Sequence, residues 1–241
     1  MTPLSDSYLR QCPVEGGFRL RGMEMTRIEV FVDAAFAFAV TMLVISFDAI
    51  PTNWDEIIVA IKHIPAFVVA VAQLVWIWYE HSRWSKRYGM EDAMTVFLSA
   101  LLLIIVLVYV YPLRIMASGM FGWMTGGYLP TSFHMNSWDQ LSGMFIFLGV
   151  GFAAICLTFV FFYRYAARMH GPLRLNESEL YDTRTIADIW GGFAVIALLS
   201  ALVAIILPPP WIPFSGFVYM LIWPWAAWWP RQREKARTEP A

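Results

Sequence analysis

Arg27-Ile28-Glu29-Val30-Phe31-Val32-Asp33 opens an apolar run that continues through Ala34-Ala35-Phe36-Ala37-Phe38-Ala39-Val40-Thr41-Met42-Leu43-Val44-Ile45 to Phe47. A stretch of roughly 20 apolar residues is what a helix needs to cross a hydrocarbon core. This one carries an arginine at its mouth and a carboxylate inside it. On insertion scales an acid at a helix centre costs roughly 2.5 to 3.5 kcal/mol, so such groups face protein or water rather than lipid. Asp33 is therefore the first residue to account for.

The rest of the chain is equally apolar. Hydrophobic residues make up 59% of it and charged residues 15%, against about 25% charged in a soluble domain. Five further apolar stretches follow, at about Ile57 to Tyr79, Thr95 to Leu113, Leu141 to Tyr163, Thr185 to Leu207 and Trp211 to Trp229. The pattern predicts an all-α integral membrane protein with six transmembrane helices over residues 27–230. A polar tail (1–26) precedes them and a charged end (231–241) follows. Arg10, Arg19, Arg21 and Arg27 lie before the first helix; Arg83, Lys86 and Arg87 follow the second; Arg164, Arg168, Arg174 and Arg184 follow the fourth; Arg231, Arg233, Lys235 and Arg237 end the chain. Only Lys62 and Arg114 fall on the other side, so the positive-inside bias puts both termini in the cytoplasm; the expected location is the cell membrane. The first 26 residues lack the apolar core of a signal peptide, which leaves the first helix as the insertion signal.

Several chemistries find no support. His63, His81, His134 and His170 are scattered over different connections, and Cys12 and Cys156 offer no ligand spacing, so no metal site is expected. Neither cysteine is placed for an extracellular disulfide. There is no Walker-type loop and no GxSxG elbow, and neither an enzyme, a cofactor nor a nucleic-acid partner is indicated. Thr125-Gly126-Gly127-Tyr128 is a weak match to a carbonyl-lined filter, which sits on a re-entrant loop braced by a pore helix. The glycine-rich stretch from Arg114 to Gln140 is expected on the outer surface. Pro208, Pro209 and Pro210 predict a rigid turn between the fifth and sixth helices, and Trp223, Trp225, Trp228 and Trp229 an interfacial belt.

Helical geometry sorts the first helix into faces. At about 100° per residue, Phe31, Ala34, Ala35, Phe38, Thr41, Met42 and Ile45 share one stripe. With Phe31 at zero, Asp33 falls at about 200°, so the acid points away from that stripe and toward neighbouring helices. Arg27 and Phe31 are one turn apart and can make a cation–π contact. The second helix ends with Trp78-Tyr79-Glu80-His81-Ser82-Arg83, at the same depth as Asp33. Trp78, His81 and Asp33 could thus share one hydrogen-bonded network. The simpler reading is that Glu29 and Asp33 complement the positive end of a helix while His81 and Arg83 reach for headgroups.

Arg27-xxx-Phe31-Val32-Asp33-Ala34, followed by the apolar run to Val44, resembles the signature of the transmembrane protein 175 family of potassium channels, which reads Arg-xxx-Phe-Ser-Asp. Trp78-xx-His81-x-Arg83 is similar to the ending of that family's second helix, and Tyr111-Pro112 to the close of its third. The resemblance implies a homotetramer in the lipid bilayer that conducts potassium ions passively, with four copies of the first helix around a central pore. It implies a hydrophobic constriction at Phe38 and a polar ring at Thr41. Met42 and Ile45 lie further along the stripe, and Asp48 is at the outer mouth. Arg27, Phe31, Asp33, Trp78 and His81 are the implied structural network. The chain departs from the signature at Val32, which replaces a serine, and at Ala34, which replaces a glycine. The alternatives are weak cation selectivity, a proton-coupled transporter that titrates Asp33 and His81, and a non-conducting membrane scaffold.

Overall fold

The computed structural model describes residues 3–45, 51–131 and 136–238. Two small motifs come first: helix α1 (Asp6–Gln11), and a hairpin of β1 (Val14–Glu15) and β2 (Phe18–Arg19) paired antiparallel. The long helices follow: α2 (Arg27–Ile45), α3 (Trp54–Tyr88), α4 (Ala93–Met124), α5 (Trp138–Arg168) and α7 (Glu177–Ile206), with a single turn, α6 (His170–Leu173), before α7. Among the described residues, α3, α4, α5 and α7 are long and apolar enough to cross a membrane. α2 has 19 residues and carries Arg27, Glu29 and Asp33. α3, α4, α5 and α7 each begin a few residues before the apolar stretch, at a side-chain cap. Asn53, Asp92, Ser137 and Asn176 each accept a hydrogen bond from a first-turn amide of α3, α4, α5 and α7, satisfying donors that a helix start otherwise leaves open.

Two stretches differ from expectation. The third was expected to close at Leu113, with Arg114 outside it; instead α4 continues to Met124 with Pro112 inside the helix and Arg114 buried. Proline removes one ladder bond, a loss that neighbouring helices can absorb in a membrane bundle. The sixth stretch is not one α-helix. Residues Pro209–Leu221 form a 3-10 segment, and helix α8 (Ile222–Thr238) follows. Four prolines in 208–213 deny the α-ladder its donors there. Across the proline turn, α8 runs antiparallel to α7. The Ser200 hydroxyl donates to the Ser215 carbonyl, the Trp225 indole to the Ile189 carbonyl, and Arg233 pairs with Asp188. The last of these contacts lies in the stretch read as a charged end, which continues α8 to Thr238.

The core lies where α5 and α7 pair most extensively. Ala197, Ala201 and Ala204 on α7 are buried, and small residues let helix backbones approach closely where no hydrophobic effect drives association. An aromatic cluster fills the middle: Trp190 stacks on Phe159 at 4.4 Å and on Trp76 at 5.2 Å.

Candidate functional site

α2 is started by a capping box. The Thr26 amide donates to Glu29 at 2.7 Å and the Glu29 amide to the Thr26 hydroxyl at 3.1 Å, so the first-turn acid both caps the helix and complements its dipole. Val32, Phe36, Ala39 and Leu43 are buried, a spacing of four, three and four that draws one stripe down a helix. It packs against α3 and α4. The opposite face is largely exposed, and among the described residues its one side-chain hydrogen bond to another helix is from the Tyr111 hydroxyl of α4 to the Met42 sulfur at 4.0 Å. Phe31 is 61% and Phe38 56% exposed, Ala34, Ala37 and Thr41 are exposed, and Met42 is half-buried. Thr41 donates its hydroxyl to the Phe38 carbonyl at 2.7 Å, so it can be exposed without an unsatisfied donor. Ile45 ends the helix, and Asp48 lies outside the described residues.

The network expected around Asp33 forms in part. The Trp78 indole on α3 donates to Asp33 at 2.7 Å. His81 turns the other way: its Nε2 pairs with the Ser99 hydroxyl on α4 at 3.1 Å, and its ring meets the edge of Phe162 on α5. His81 therefore ties α3 to α4 and α5, and Trp78 ties α3 to α2. His81 and Asp33 both line a cavity of about 150 Å³, with Glu29, Ser82 and Lys86 among its walls. Arg27 is exposed and, among the described residues, makes no cation–π contact with Phe31.

One residue at the far end of α2 escaped the sequence reading. Arg114 is buried and donates from Nη1 to the Leu43 carbonyl at 3.2 Å, so α4 grips the last turn of α2. The signal was the one that flagged Asp33, a lone charge in an apolar run, but Pro112 two residues earlier suggested that the helix had already ended.

Residues 27–110, from the start of α2 through most of α4, match the family described as "Endosomal/lysosomal potassium channel TMEM175". A protein of Marivirga tractuosa named "Potassium channel" is 35% identical over 221 residues, 86% of this chain and 87% of that protein. The chain belongs to the TMEM175 potassium channel family. A solved TMEM175 structure agrees. The crystal structure of the potassium channel MtTMEM175, a threonine-to-alanine variant in complex with a nanobody–MBP fusion protein, superposes with a TM-score of 0.80 at 32% identity, over 92% of this chain and 99% of that one. The family resemblance read from the motif at Arg27 to Ala34 is thus borne out along most of the chain. The TMEM175 match begins at the first residue of α2, the helix whose outward face carries Phe31, Phe38 and Thr41.

Proposed function

We propose that this protein is a potassium-selective channel of the cell membrane. Four copies of α2 line a central pathway, and ions pass down their gradient. Phe38 is the hydrophobic constriction and gates by excluding water from a narrow apolar ring. Thr41, one turn on, presents a polar ring, Met42 and Ile45 extend the wall, and Asp48 draws cations to the outer mouth. Asp33, held by Trp78, keeps the helix in register, while His81 braces α3 against α4 and α5. The observation that carries this reading is the division of α2 into a buried face and an exposed one, with Phe38 and Thr41 on the exposed side. Its fixed rotation, with Asp33 held by Trp78 on α3, supports the acid as a brace rather than an ion ligand.

The test is potassium flux into liposomes containing the purified protein, with Phe38→Ala beside the wild type and the mass of the detergent-solubilised assembly measured in parallel. A four-chain assembly and a flux that rises in Phe38→Ala are expected. No flux from either protein, or a monomer, would sink the reading. Flux that saturates and follows an imposed proton gradient would point to a carrier.

A further inference from the structure

The N-terminal segment, read from sequence as a polar tail, is a folded clasp built around one arginine. Arg21 is 2% exposed. Its guanidinium has five N–H donors, and all five are used. Nε donates to the Leu173 carbonyl at 2.8 Å. Nη1 donates to the Arg19 carbonyl at 2.8 Å and to Glu179 Oε1 at 3.2 Å. Nη2 donates to Glu179 Oε2 at 2.7 Å and to the Arg174 carbonyl at 3.3 Å. Glu179 is equally engaged. It also accepts from the Arg19 amide at 2.8 Å and, closing the capping box of α7, from the Asn176 amide at 3.0 Å. A buried ion pair with every donor filled rigidifies its surroundings, and one left with a donor or charge unmatched is costly.

The backbone on either side of Arg21 is held as firmly. The Arg21 amide donates to the Arg87 carbonyl and the Gly22 amide to the Lys86 carbonyl at 2.9 Å, at the end of α3. A Cβ on Gly22 would lie 2.5 Å from the Ser85 carbonyl oxygen, so only glycine permits this approach. Phe18 is buried edge-on against Tyr88. From Gly22 only three residues lead to Thr26, the cap of α2. The ends of α3, α6 and α7 are thereby joined at a single buried point, a few residues before the first turn of α2.

We infer that Arg21 and Glu179 form a positioning latch: they fix the N-terminal end of α2 against the α3–α7 bundle and through it set the open probability of the channel, without touching the ion. The inference rests on the pore reading of α2, but the seating of α2 can be measured without any current. Cys12, in the clasp, is 6% exposed, and Cys156, in α5, is fully buried. Thiol labelling of the folded protein therefore reports clasp opening at Cys12 and global integrity at Cys156. Val32→Cys, in a background with both native cysteines replaced by serine, reports the buried face of α2. Arg21→Lys keeps the charge but loses the fork, and Glu179→Gln keeps the shape but loses the charge. In each variant Cys12 labelling is expected to accelerate by about tenfold or more, Val32→Cys labelling to accelerate with it, and Cys156 to stay protected. Single-channel open probability in planar bilayers is expected to change severalfold, with the potassium-to-sodium permeability ratio unchanged. Unchanged Cys12 labelling would overturn the latch. So would faster Cys12 labelling with Val32→Cys still protected, or an altered seat with unaltered open probability. A wild type that carries no current refutes the channel reading alone, and the two thiol rates then decide whether the latch seats α2.

Discussion

Replacing Trp78 by phenylalanine removes the indole N–H that holds Asp33 and leaves an aromatic ring in its place. The bond is short, 2.7 Å, and its acceptor is a carboxylate. Hydrogen bonds to charged groups contribute about 1.5 to 3 kcal/mol in soluble proteins, whereas those between membrane helices average about 0.6 with a maximum near 1.7 kcal/mol. A charged acceptor at short distance belongs near the top of the second range. We expect Trp78→Phe to cost about 1.5 kcal/mol, a factor of about ten in the equilibrium between seated and displaced α2. Asp33→Asn keeps an acceptor oxygen without the charge, and charge assistance roughly doubles such a bond, so it should cost about half as much. Because both variants remove the same interaction, the double variant should be less destabilised than the sum of the singles by about 0.7 kcal/mol. The assay is unfolding in mixed detergent micelles, followed by circular dichroism, on all four proteins. Strictly additive effects would show that Trp78 and Asp33 do not act on one another, and would remove the main reason for assigning Asp33 to the scaffold.

Two further outcomes follow from contacts remote from α2. A Cβ on Gly192 would overlap the Trp225 indole. Gly192→Ala should displace that ring and its bond to the Ile189 carbonyl, costing about 1 to 3 kcal/mol after the gain in helix propensity. Adding Trp225→Ala should then cost less than it does alone, as the same unfolding assay would show. Asp92 caps α4 and accepts from the Thr95 amide and hydroxyl and from the Tyr165 hydroxyl. Burial works to raise its pKa, but the Tyr165 and Thr95 donors outweigh that and hold it below the usual aspartate value. A depressed folded pKa means stability that is present above the unfolded value, about 3.9, and is lost as pH falls through the folded one. Asp92→Asn should therefore flatten the fall in melting temperature below about pH 4; an unchanged slope would count against the cap.

The face assignment of α2 was legible because it needed only helical periodicity. Phe31, Phe38 and Thr41 are exposed where the 100° rule puts them together, and Asp33 meets Trp78 on the side it was expected to face. The partner of His81 was not legible. Trp78 and His81 are three residues apart on a helix that packs against both α2 and α4, and only the tertiary arrangement decides that the first reaches Asp33 and the second Ser99. The end of α4 was misread because proline is a helix breaker in water, whereas here Pro112 is buried among helices. The clasp left no periodic trace at all. It is held by backbone hydrogen bonds and by one arginine whose carboxylate partner is 158 residues away, and neither leaves a local pattern.

Exposure of apolar residues is weak grounds for a pore in a membrane protein, because lipid covers such surfaces without penalty. α3 and α4 also expose Val68, Val75, Ile104 and Val108. What separates α2 is that its rotation is not free. The capping box fixes its first turn, Asp33 is tied to α3, and Leu43 is tied to Arg114 on α4. Turning the helix by one residue, about 100°, would break the Asp33 contact and pull the buried stripe out of the core. Small residues, Ala34 and Ala37, alternate on the outward face with Phe31 and Phe38, a shape that admits a close helix neighbour and that lipid does not require. Any second copy that meets this face must therefore meet Phe31, Phe38 and Thr41, and never Asp33, which is why substitutions at Phe38 and at Asp33 should separate cleanly into effects on conduction and effects on seating.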